Sequence, residues 1–411
     1  MQNEKIIARE PLLDAHHLVQ AYELVAQDRD QGLSGDEVIT AIASRAAEGL
    51  VSKEGSWLLA RQRMFLEATP GLLASDTLKH LPPQAVSLSL TMAELAEPAN
   101  QESLHHLHAR GYGISLRDVG SLIQVEAVAS QLAQAHASLK AVTAIELDGD
   151  APAIASQAAL LRKSRPQISL LARHVLNWER AEICLASGVP VFAGRIYLAP
   201  PAASQKSAFT PTQSTILQLM DMVRQEADVR SLEAILKRDA ALSFKLLRYI
   251  NSVGFGLGSE IHSVQHAVTL LGYSTLYKWL ALLLATTATG VGSVALMETA
   301  VIRGRFAELL GEGLLPKNEL ENLFVTGMFS VLDKLLGMPL EQILGHIRLP
   351  DSVAQALLSG DGIYGPFLAL VRACETHDGQ AQNLADDLFL SPAQVNHAHL
   401  SALAWSQGLQ L

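Results

Sequence analysis

Two groups of histidines have the spacing of metal ligands. They are His105, His106 and His108 in the segment SLHHLHARG, and His262 with His266 further along the chain. Histidines one helical turn apart can bind one zinc ion. No acid or cysteine follows the first group within the next turn, so a solvated helix surface explains it better. Ser263 suits a helix N-cap, which would place His262 outside the helix. We therefore predict no metal site and no cofactor.

Other motifs for catalytic or redox chemistry are missing from the sequence. It has no Walker-type phosphate loop, no Gly-x-Gly-x-x-Gly after a strand and no Gly-x-Ser-x-Gly. Cys184 and Cys374 are the only cysteines, and they lack the spacing of a metal site or a disulfide framework, as in proteins of a reducing cytosol. The N-terminal segment lacks the apolar core of a signal peptide. We predict a cytoplasmic protein.

Length and composition indicate a globular protein of about two domains. The 411 residues exceed one ordinary core, and 49% of them are hydrophobic while 18% are charged. The net charge of -10 argues against nucleic-acid binding, because neutralising phosphates needs a basic surface. The uncharged run Trp279–Met297 is nearly long enough to cross a bilayer. Threonine, glycine and serine fill its second half, so we predict a buried helix that ends at a loop, and no membrane span.

The sequence pattern changes near residue 200. Upstream, short apolar runs such as AVSLSL and AVTAIELDG alternate with helical patterns, which indicates a parallel α/β sheet or barrel. Downstream, almost every pattern is helical. Residues 199–213 combine three prolines with small and polar residues, a composition typical of linkers. We predict an α/β domain at 1–200, a linker at 201–213 and an all-helical domain at 214–411.

The segment ALSFKLLRYINSVGFGLGSEIHSVQHAVTLLG, residues 241–272, carries the most specific pattern of the second half. It predicts a helix with an apolar stripe, a glycine-rich turn, and a second helix that begins after Ser263 and ends at Gly272. The stripe consists of Leu242, Leu246, Leu247 and Ile250. The segment resembles the signature of HDOD domains, all-helical modules built like metal-dependent HD phosphohydrolases but without their metal ligands.

The HDOD resemblance implies a signalling adaptor more than a catalyst. Where HD enzymes carry their His-Asp pair, this chain has Ser330 and Val331, and Asp333 lies two residues late. In the turn, Tyr249, Asn251 and Phe255 allow two interpretations. Either Asn251 caps a helix and Phe255 fills the core, or the turn docks a partner, since aromatic residues are common at interface centres.

The N-terminal segment IIAREPLLDAHHLVQAYELV resembles the first hairpin of EAL domains, (β/α) barrels that hydrolyse cyclic di-GMP in bacteria. The signature Glu-Ala-Leu has become Glu23-Leu24-Val25. The resemblance to an EAL-HDOD protein extends over nearly the whole chain. It implies a barrel in which carboxylates and an asparagine at strand ends bind two divalent cations that activate a water.

Few residues of an active EAL domain are matched here. Glu23 keeps the signature position and Glu146 stands at a later aspartate, but Val86–Leu90 lacks the expected asparagine. The paired aspartates correspond to Arg117 and Asp118. An arginine near the metal position would repel a cation by about 4 kcal/mol per unit charge at about 4 Å and an effective dielectric near 20.

Further EAL positions are lost in the second half of the barrel. Arg173-His174-Val175-Leu176 replaces Glu-Lys-Val-Glu, and Ala193-Gly194-Arg195 replaces Gln-Gly-Tyr. Gln27, with Arg29 nearby, only approximates the arginine expected after the signature. Two interpretations of the acids Glu23, Asp118 and Glu146 stay open, ordinary polar residues at strand ends or a residual metal or nucleotide site. In the second case Arg117, His174 and Arg195 would gather at the barrel mouth and hold an anion or a partner's carboxylate.

We therefore predict a degenerate EAL barrel followed by an all-helical HDOD domain, in a non-catalytic bacterial signalling scaffold. The resemblance implies protein partners such as a sensor kinase, a response regulator or a cyclic di-GMP enzyme, and it leaves a homo-oligomer open. The alternative is a cyclic di-GMP phosphodiesterase or sensor that retains binding through Glu23, Asp118 and Glu146.

Overall fold

The computed structural model describes residues 4–27, 35–119, 141–199, 208–251, 261–289 and 292–409. The chain forms two compact units. The first comprises Met1–Ala199 with Ala373–Gln382, and the second comprises Pro200–Arg372 with Asn383–Leu411. We call Ala373–Gln382 the returning segment, because it lies late in the sequence but belongs to the first unit.

Eight strands of the first unit form a closed barrel in sequence order. The first strand runs antiparallel to both of its neighbours, and the other adjacent pairs are parallel. The strands are β1 (Ile7–Asp14), β2 (Val19–Ala26), β3 (Arg63–Glu67), β4 (Val86–Leu90), β5 (Gly113–Val119), β6 (Ala144–Leu147), β7 (Ser169–Ala172) and β8 (Val191–Ala193). Parallel strands place their carboxyl ends at one rim, where barrel enzymes position their functional residues.

The turn between β1 and β2 is fixed by one side chain. The Asp14 carboxylate accepts hydrogen bonds from the backbone N–H groups of His16 at 2.8 Å and Leu18 at 3.0 Å. Short polar side chains favour such turns because they replace a backbone acceptor. A residue within the turn itself therefore stabilises the hairpin that carries Glu23-Leu24-Val25.

Helices of the first unit connect the parallel strands. They are α1 (Gly35–Leu50), α2 (Pro70–Ala74), α3 (Met92–Ala96), α4 (Pro98–Arg110), α5 (Ala151–Ser164) and α6 (Trp178–Ala186), with short 3-10 helices at Asp76–His80, Pro83–Ala85 and Ile196–Leu198. Side chains cap several of them: Thr91 and Glu94 form a capping box on α3, and Asp150 and Asn177 cap α5 and α6. These caps satisfy N–H groups that a helix leaves without partners.

The described residues of the second unit form helices joined by turns and loops, without strands. Its helices are α7 (Pro211–Arg224), α8 (Val229–Leu236), α9 (Ala240–Ile250), α10 (Val264–Ala285), α11 (Ser293–Gly311), α12 (Lys317–Phe329), α13 (Leu332–Leu336), α14 (Leu340–Leu344), α15 (Asp351–Leu358), α16 (Gly365–Ala373), α17 (Ala381–Asp387) and α18 (Pro392–Gly408). Helix α16 ends and α17 begins inside the returning segment. The predicted fold class, a barrel followed by an all-helical domain, is confirmed.

The pattern of residues 241–272 gives two helices, as predicted. Helix α9 buries Leu242, Leu246 and Ile250, and Ser263 caps α10 by accepting from the N–H of His266, so His262 lies outside the helix. Gly272 has φ 84° and ψ 170°, outside the helical range, so the range Val264–Ala285 of α10 joins two helices that meet at this residue. The predicted end of the helix at Gly272 is confirmed, and a further helix follows at once to Ala285.

The predicted buried helix within Trp279–Met297 is present. Residues from Trp279 to Ala285 are buried, and α10 ends at Ala285 before α11 starts at Ser293. By length and composition α10 could cross a membrane, but 56% of its apolar window is buried, as in the core helices of soluble proteins. Helix α7 begins at Pro211, so the last three residues of the predicted linker are helical. Residues 201–207 lie outside the described residues.

Candidate functional site

The three predicted carboxylates lie around one cavity of the first unit. Glu23 lies on β2, Asp118 on β5 and Glu146 on β6, and all three line a cavity of about 530 Å³. Glu23 and Glu146 are buried, whereas the Asp118 side chain is 68% exposed. The cavity therefore contains a buried pair of acids and a separate acid at its surface.

Arg173 bridges the two buried acids. Its Nε and Nη2 atoms lie 2.8 and 2.7 Å from Glu146 Oε2, and its Nη2 lies 2.9 Å from Glu23 Oε1. Its Nη1 donates to the other oxygen of Glu23. A planar guanidinium matches two carboxylates in this way because its donors form a rigid fork. The sequence showed Arg173 only as the loss of an EAL residue.

The backbone around Arg173 is held by two neighbouring strands. The N–H of Arg173 donates to Leu147 O at 2.7 Å, and the N–H of Val175 donates to Ala193 O at 3.0 Å. Gly194 has φ 154° and approaches this segment so closely that a Cβ atom there would lie 2.1 Å from Val175 O. Glycine at this position thus permits the approach that fixes the Arg173 loop across the end of the barrel.

The electrostatics of the cluster keep Arg173 cationic. Burial lowers the pKa of Arg173, but the carboxylates of Glu23 and Glu146 outweigh it and raise the pKa above its ordinary value. Ser89 on β4, a residue of the VSLSL strand, donates its hydroxyl to Glu146 Oε1. The Glu146 carboxylate is therefore bonded from two sides by groups of the barrel itself.

A further acid, Glu10, lies beside Glu23. Glu10 on β1 is directly opposite Glu23 in the antiparallel register. Burial raises the pKa of Glu10, but His377 and Arg173 outweigh it and lower the pKa overall. His377 Nε2 lies 3.6 Å from Glu10 Oε2. Glu10 is an acid of the cavity that the sequence patterns did not single out.

Arg117, predicted to lie at the barrel mouth, lines the cavity and contacts three acids other than Glu23 and Glu146. Its Nη2 lies 2.7 Å from Glu67 Oε1 and 3.6 Å from Glu94 Oε2, and its Nη1 lies 3.6 Å from Asp118 Oδ2. The cation that contacts Glu23 and Glu146 is Arg173. The EAL resemblance matches Arg117 to one of the paired aspartates, but it does not show which acids a long side chain reaches.

The predicted group of cations forms only in part. Arg117 and His174 line the cavity, whereas Arg195 is not among its lining residues and begins a 3-10 helix. His174 has φ 52°, and its Nδ1 lies 3.1 Å from Asp148 Oδ2. Acids outnumber arginines in the lining, which includes Glu10, Glu23, Asp118, Glu146, Asp148 and Asp378 beside Arg117 and Arg173. The charged residues of the lining are thus mainly acidic.

The residues as placed do not fit the divalent cations implied by the EAL resemblance. Glu23 and Glu146, the two matched ligands inside the barrel, are both bound to the Arg173 guanidinium. In the part of the chain that the structure describes, there is no group of three or more His, Cys, Asp and Glu side chains arranged to hold a metal. A cation of the protein occupies the ligands that a metal would need.

The returning segment supplies one wall of the cavity. His377, Asp378 and Gly379 line it, although they lie more than 180 residues after β8 in sequence. Gln27, at the end of β2, donates to the carbonyl oxygens of Ala373 and Thr376. No local sequence pattern relates these residues to the barrel, so sequence reasoning missed them.

Two of the three predicted docking residues, Tyr249 and Asn251, lie within the described residues of the second unit. Tyr249 is 3% exposed, so its ring packs in the core and is not available to a partner. Asn251 donates its side-chain amide to Ile261 O at 2.8 Å and accepts from the Ile261 N–H at 2.7 Å. Asn251 is also the C-cap residue of α9, as the structural interpretation predicts. Phe255 lies outside the described residues, and the docking interpretation of this turn remains untested there.

Two further regions singled out in the sequence are the position of the HD pair and the histidines of α4. Ser330, at the place of the HD pair, is buried; it accepts from Arg303 Nη1 at 2.9 Å and donates to Gly327 O at 2.7 Å. His105 and His106 are exposed on α4, as predicted for a solvated helix surface.

Comparison with known families identifies the second unit. Residues 209–340 match the HDOD domain family, which confirms the predicted HDOD domain at these residues. The predicted bounds 214–411 extend further toward the C-terminus and stay a prediction.

Two proteins are similar to this chain over nearly its full length. Uncharacterized protein YuxH of Bacillus subtilis is 22% identical, and the match covers 98% of each chain. Cyclic di-GMP phosphodiesterase CdgJ of Vibrio cholerae is 25% identical over 98% of this chain and 92% of its own length. Among solved structures, the EAL domain of Mycobacterium smegmatis DcpA matches with 19% identity and a TM-score of 0.36, over 47% of this chain and 90% of that domain.

Proposed function

We propose that this chain is a non-catalytic adaptor of cyclic di-GMP signalling, which acts through protein–protein contacts. The observation that carries the proposal is the Arg173 guanidinium between Glu23 and Glu146. In this proposal the barrel has exchanged a metal centre for an internal cation. Its partners are signalling proteins such as a sensor kinase, a response regulator or a cyclic di-GMP enzyme, and it works in the cytoplasm.

The physical argument concerns competition for two carboxylates. A divalent cation about 4 Å from the guanidinium would meet a repulsion on the order of 8 kcal/mol at an effective dielectric near 20. It would also have to break the hydrogen bonds of Arg173, which are shielded because this side chain is only 13% exposed. Metal-assisted hydrolysis needs the metal to generate its nucleophile. With both carboxylates engaged, that route is blocked in the folded barrel.

The signalling context rests on other observations. The chain carries an HDOD domain, and it is similar over nearly its whole length to a protein named as a cyclic di-GMP phosphodiesterase. The hairpin containing Glu23 also resembles that of EAL domains. These similarities favour a role in the same signalling system without requiring that this chain performs the reaction.

A second candidate function is a cyclic di-GMP sensor or phosphodiesterase. The cavity of about 530 Å³ at the barrel rim and the name of the Vibrio relative favour it. The acidic lining argues against it, because a ligand with two phosphates would face more carboxylates than arginines. The two candidates differ in a measurable property, the affinity for the nucleotide.

Calorimetric titration of the full chain with cyclic di-GMP, with calcium present, tests the proposal. We expect no heat of binding, and no hydrolysis when magnesium or manganese replaces calcium. Binding tighter than about 10 μM, or about -7 kcal/mol, would instead identify a sensor, and turnover would overturn the proposal. Glu23→Gln, which keeps the shape of the side chain, is the matched variant: any signal that depends on Glu23 must come from the barrel cavity.

A further inference from the structure

One glutamine of the barrel is bonded to three backbone groups of the returning segment. Gln27 Nε2 donates to Ala373 O and, at 2.6 Å, to Thr376 O, while Gln27 Oε1 accepts from the Ala381 N–H at 3.4 Å. A side-chain amide can both donate and accept, whereas an arginine can only donate. The residue that stands in place of the EAL arginine is thus suited to hold a peptide backbone.

A buried ion pair reinforces this attachment. Arg9 Nη2 lies 3.0 Å from Glu375 Oε1, and each side chain is only 4% exposed. The Arg9 N–H also donates to Cys374 O at 3.1 Å, so β1 bonds both the backbone and the side chain of the segment. Buried charge pairs are costly to break, because each charge loses its partner without gaining water.

The attached segment is short and lacks regular structure in its middle. Residues 374–380 lie between the end of α16 and the start of α17, and His377, Asp378 and Gly379 form part of the cavity wall. The residues that flank the segment in sequence, Arg372 and Asn383, belong to the second unit. Short segments held by a few specific bonds open more easily than a strand of a closed barrel.

We propose that the returning segment is a latch on the barrel, held by Gln27 and the Arg9–Glu375 pair, which opens locally while the barrel stays folded. Opening removes one wall of the cavity and thereby exposes the Arg173 cluster. The latch places the cavity in direct contact with a segment whose two ends continue into the HDOD-containing unit. This device does not depend on whether cyclic di-GMP binds.

The two cysteines of the chain provide the test. Cys374 lies in the latch and Cys184 lies in α6 of the barrel, and both are completely buried. Burial raises the pKa of each thiol, so neither reacts while it stays covered. In the full chain, Cys184→Ser leaves Cys374 as the reporter of latch opening, and Cys374→Ser leaves Cys184 as the reporter of barrel unfolding. The measurement is the rate of modification by a disulfide reagent under native conditions.

We expect the modification rate of Cys374 to be at least about tenfold higher than that of Cys184. Gln27→Ala should raise the rate of Cys374 by a further factor of about ten and leave the rate of Cys184 unchanged. Gln62→Ala is the matched control, because Gln62 donates to Val19 O elsewhere in the same unit. It should change neither rate. Equal rates for the two cysteines, or a Cys374 rate that Gln27→Ala leaves unchanged, would overturn the latch.

If Gln27→Ala unfolds the barrel, the modification rates of both cysteines will increase together. Glu375→Gln then decides, since it keeps the shape of the side chain and removes only its charge. Acceleration of Cys374 alone supports the latch. Acceleration of both cysteines in this variant as well means that the segment is an inseparable part of the barrel, and the proposal fails.

Discussion

The barrel and the helical unit each bury a charged cluster, but they balance it in opposite ways. In the barrel, the single cation Arg173 is shared by Glu23 and Glu146. In the helical unit, the single acid Glu308 is shared by Lys278 and Arg305. The first cluster borders a cavity with further carboxylates, whereas Lys278 packs with its Nζ 4.1 Å from the centre of the Phe324 ring.

This difference separates a site from a core. Burial lowers the pKa of Lys278 although Glu308 opposes the effect, which is expected for a charge enclosed among helices. The helical cluster therefore holds packed elements in register. The barrel cluster borders a cavity that a ligand or ion can enter. Arg173 would therefore compete with an entering cation for Glu23 and Glu146. Mutations should destabilise both clusters, but only the barrel should respond to added ions.

The largest expected effect is in the helical unit. Glu308→Ala would leave Lys278 buried without its main partner and should lower the free energy of unfolding by about 3 to 5 kcal/mol. Urea unfolding followed by circular dichroism measures the loss. The double variant Lys278→Met with Glu308→Leu is the control, because it removes both charges and keeps the volume. It should recover most of the lost stability, and a double variant as unstable as Glu308→Ala would contradict this account of the cluster.

In the barrel we expect a somewhat smaller loss of the free energy of unfolding, together with a new response of the melting temperature to metal ions. Arg173→Ala leaves Glu23 and Glu146 without their shared cation and should destabilise by about 2 to 4 kcal/mol, since the cluster borders the cavity and retains some hydration. Calcium or manganese should raise the melting temperature of the variant but not that of the original protein. Arg173→Lys is the control that keeps the charge. A melting temperature that responds equally to metal in all three proteins would remove the argument for an internal cation.

The comparison also shows what the sequence could predict. Apolar runs that alternate with helical patterns predicted the α/β half, whereas the resemblance to EAL domains placed Glu23 and Glu146 at strand ends. The helical half followed from its periodicity, and Ser263 acts as the predicted cap because a cap is encoded within four residues. Local rules of this kind identified both units and their order.

Contacts over long sequence distances were not predictable. Arg173 reaches Glu23 across 150 positions, and Gln27 binds residues about 350 positions later, so no window of sequence contains either interaction. The contact of Arg117 with Glu67, 50 positions earlier, is likewise absent from any local pattern. The end of the helix at Gly272, by contrast, was predicted, because a glycine stop signal is local.

A smaller effect should distinguish the turn of the second unit from a docking surface. Asn251→Ala removes two hydrogen bonds to Ile261 and should lower the free energy of unfolding by about 1 to 2 kcal/mol. Ser263→Ala, which removes only the cap of the next helix, should cost about 1 kcal/mol and serves as the control. Chemical denaturation of both variants gives the comparison. Unchanged stability of Asn251→Ala would favour the docking interpretation of this residue.

The smallest expected effect concerns how the stability of the barrel decreases at acidic pH. The folded-state pKa of Glu10 lies below its ordinary 4.5, so the ionised group stabilises the fold above that pH. This contribution is lost as the pH falls from 4.5 through the lowered folded value, because protonation then removes the interactions with Arg173 and His377. Denaturation from about pH 6 to about pH 3 should show a shallower loss of stability for Glu10→Gln. If Glu10→Gln leaves the slope unchanged, the acidity of the cavity does not stabilise the barrel, and the contrast between the two units rests on Arg173 alone.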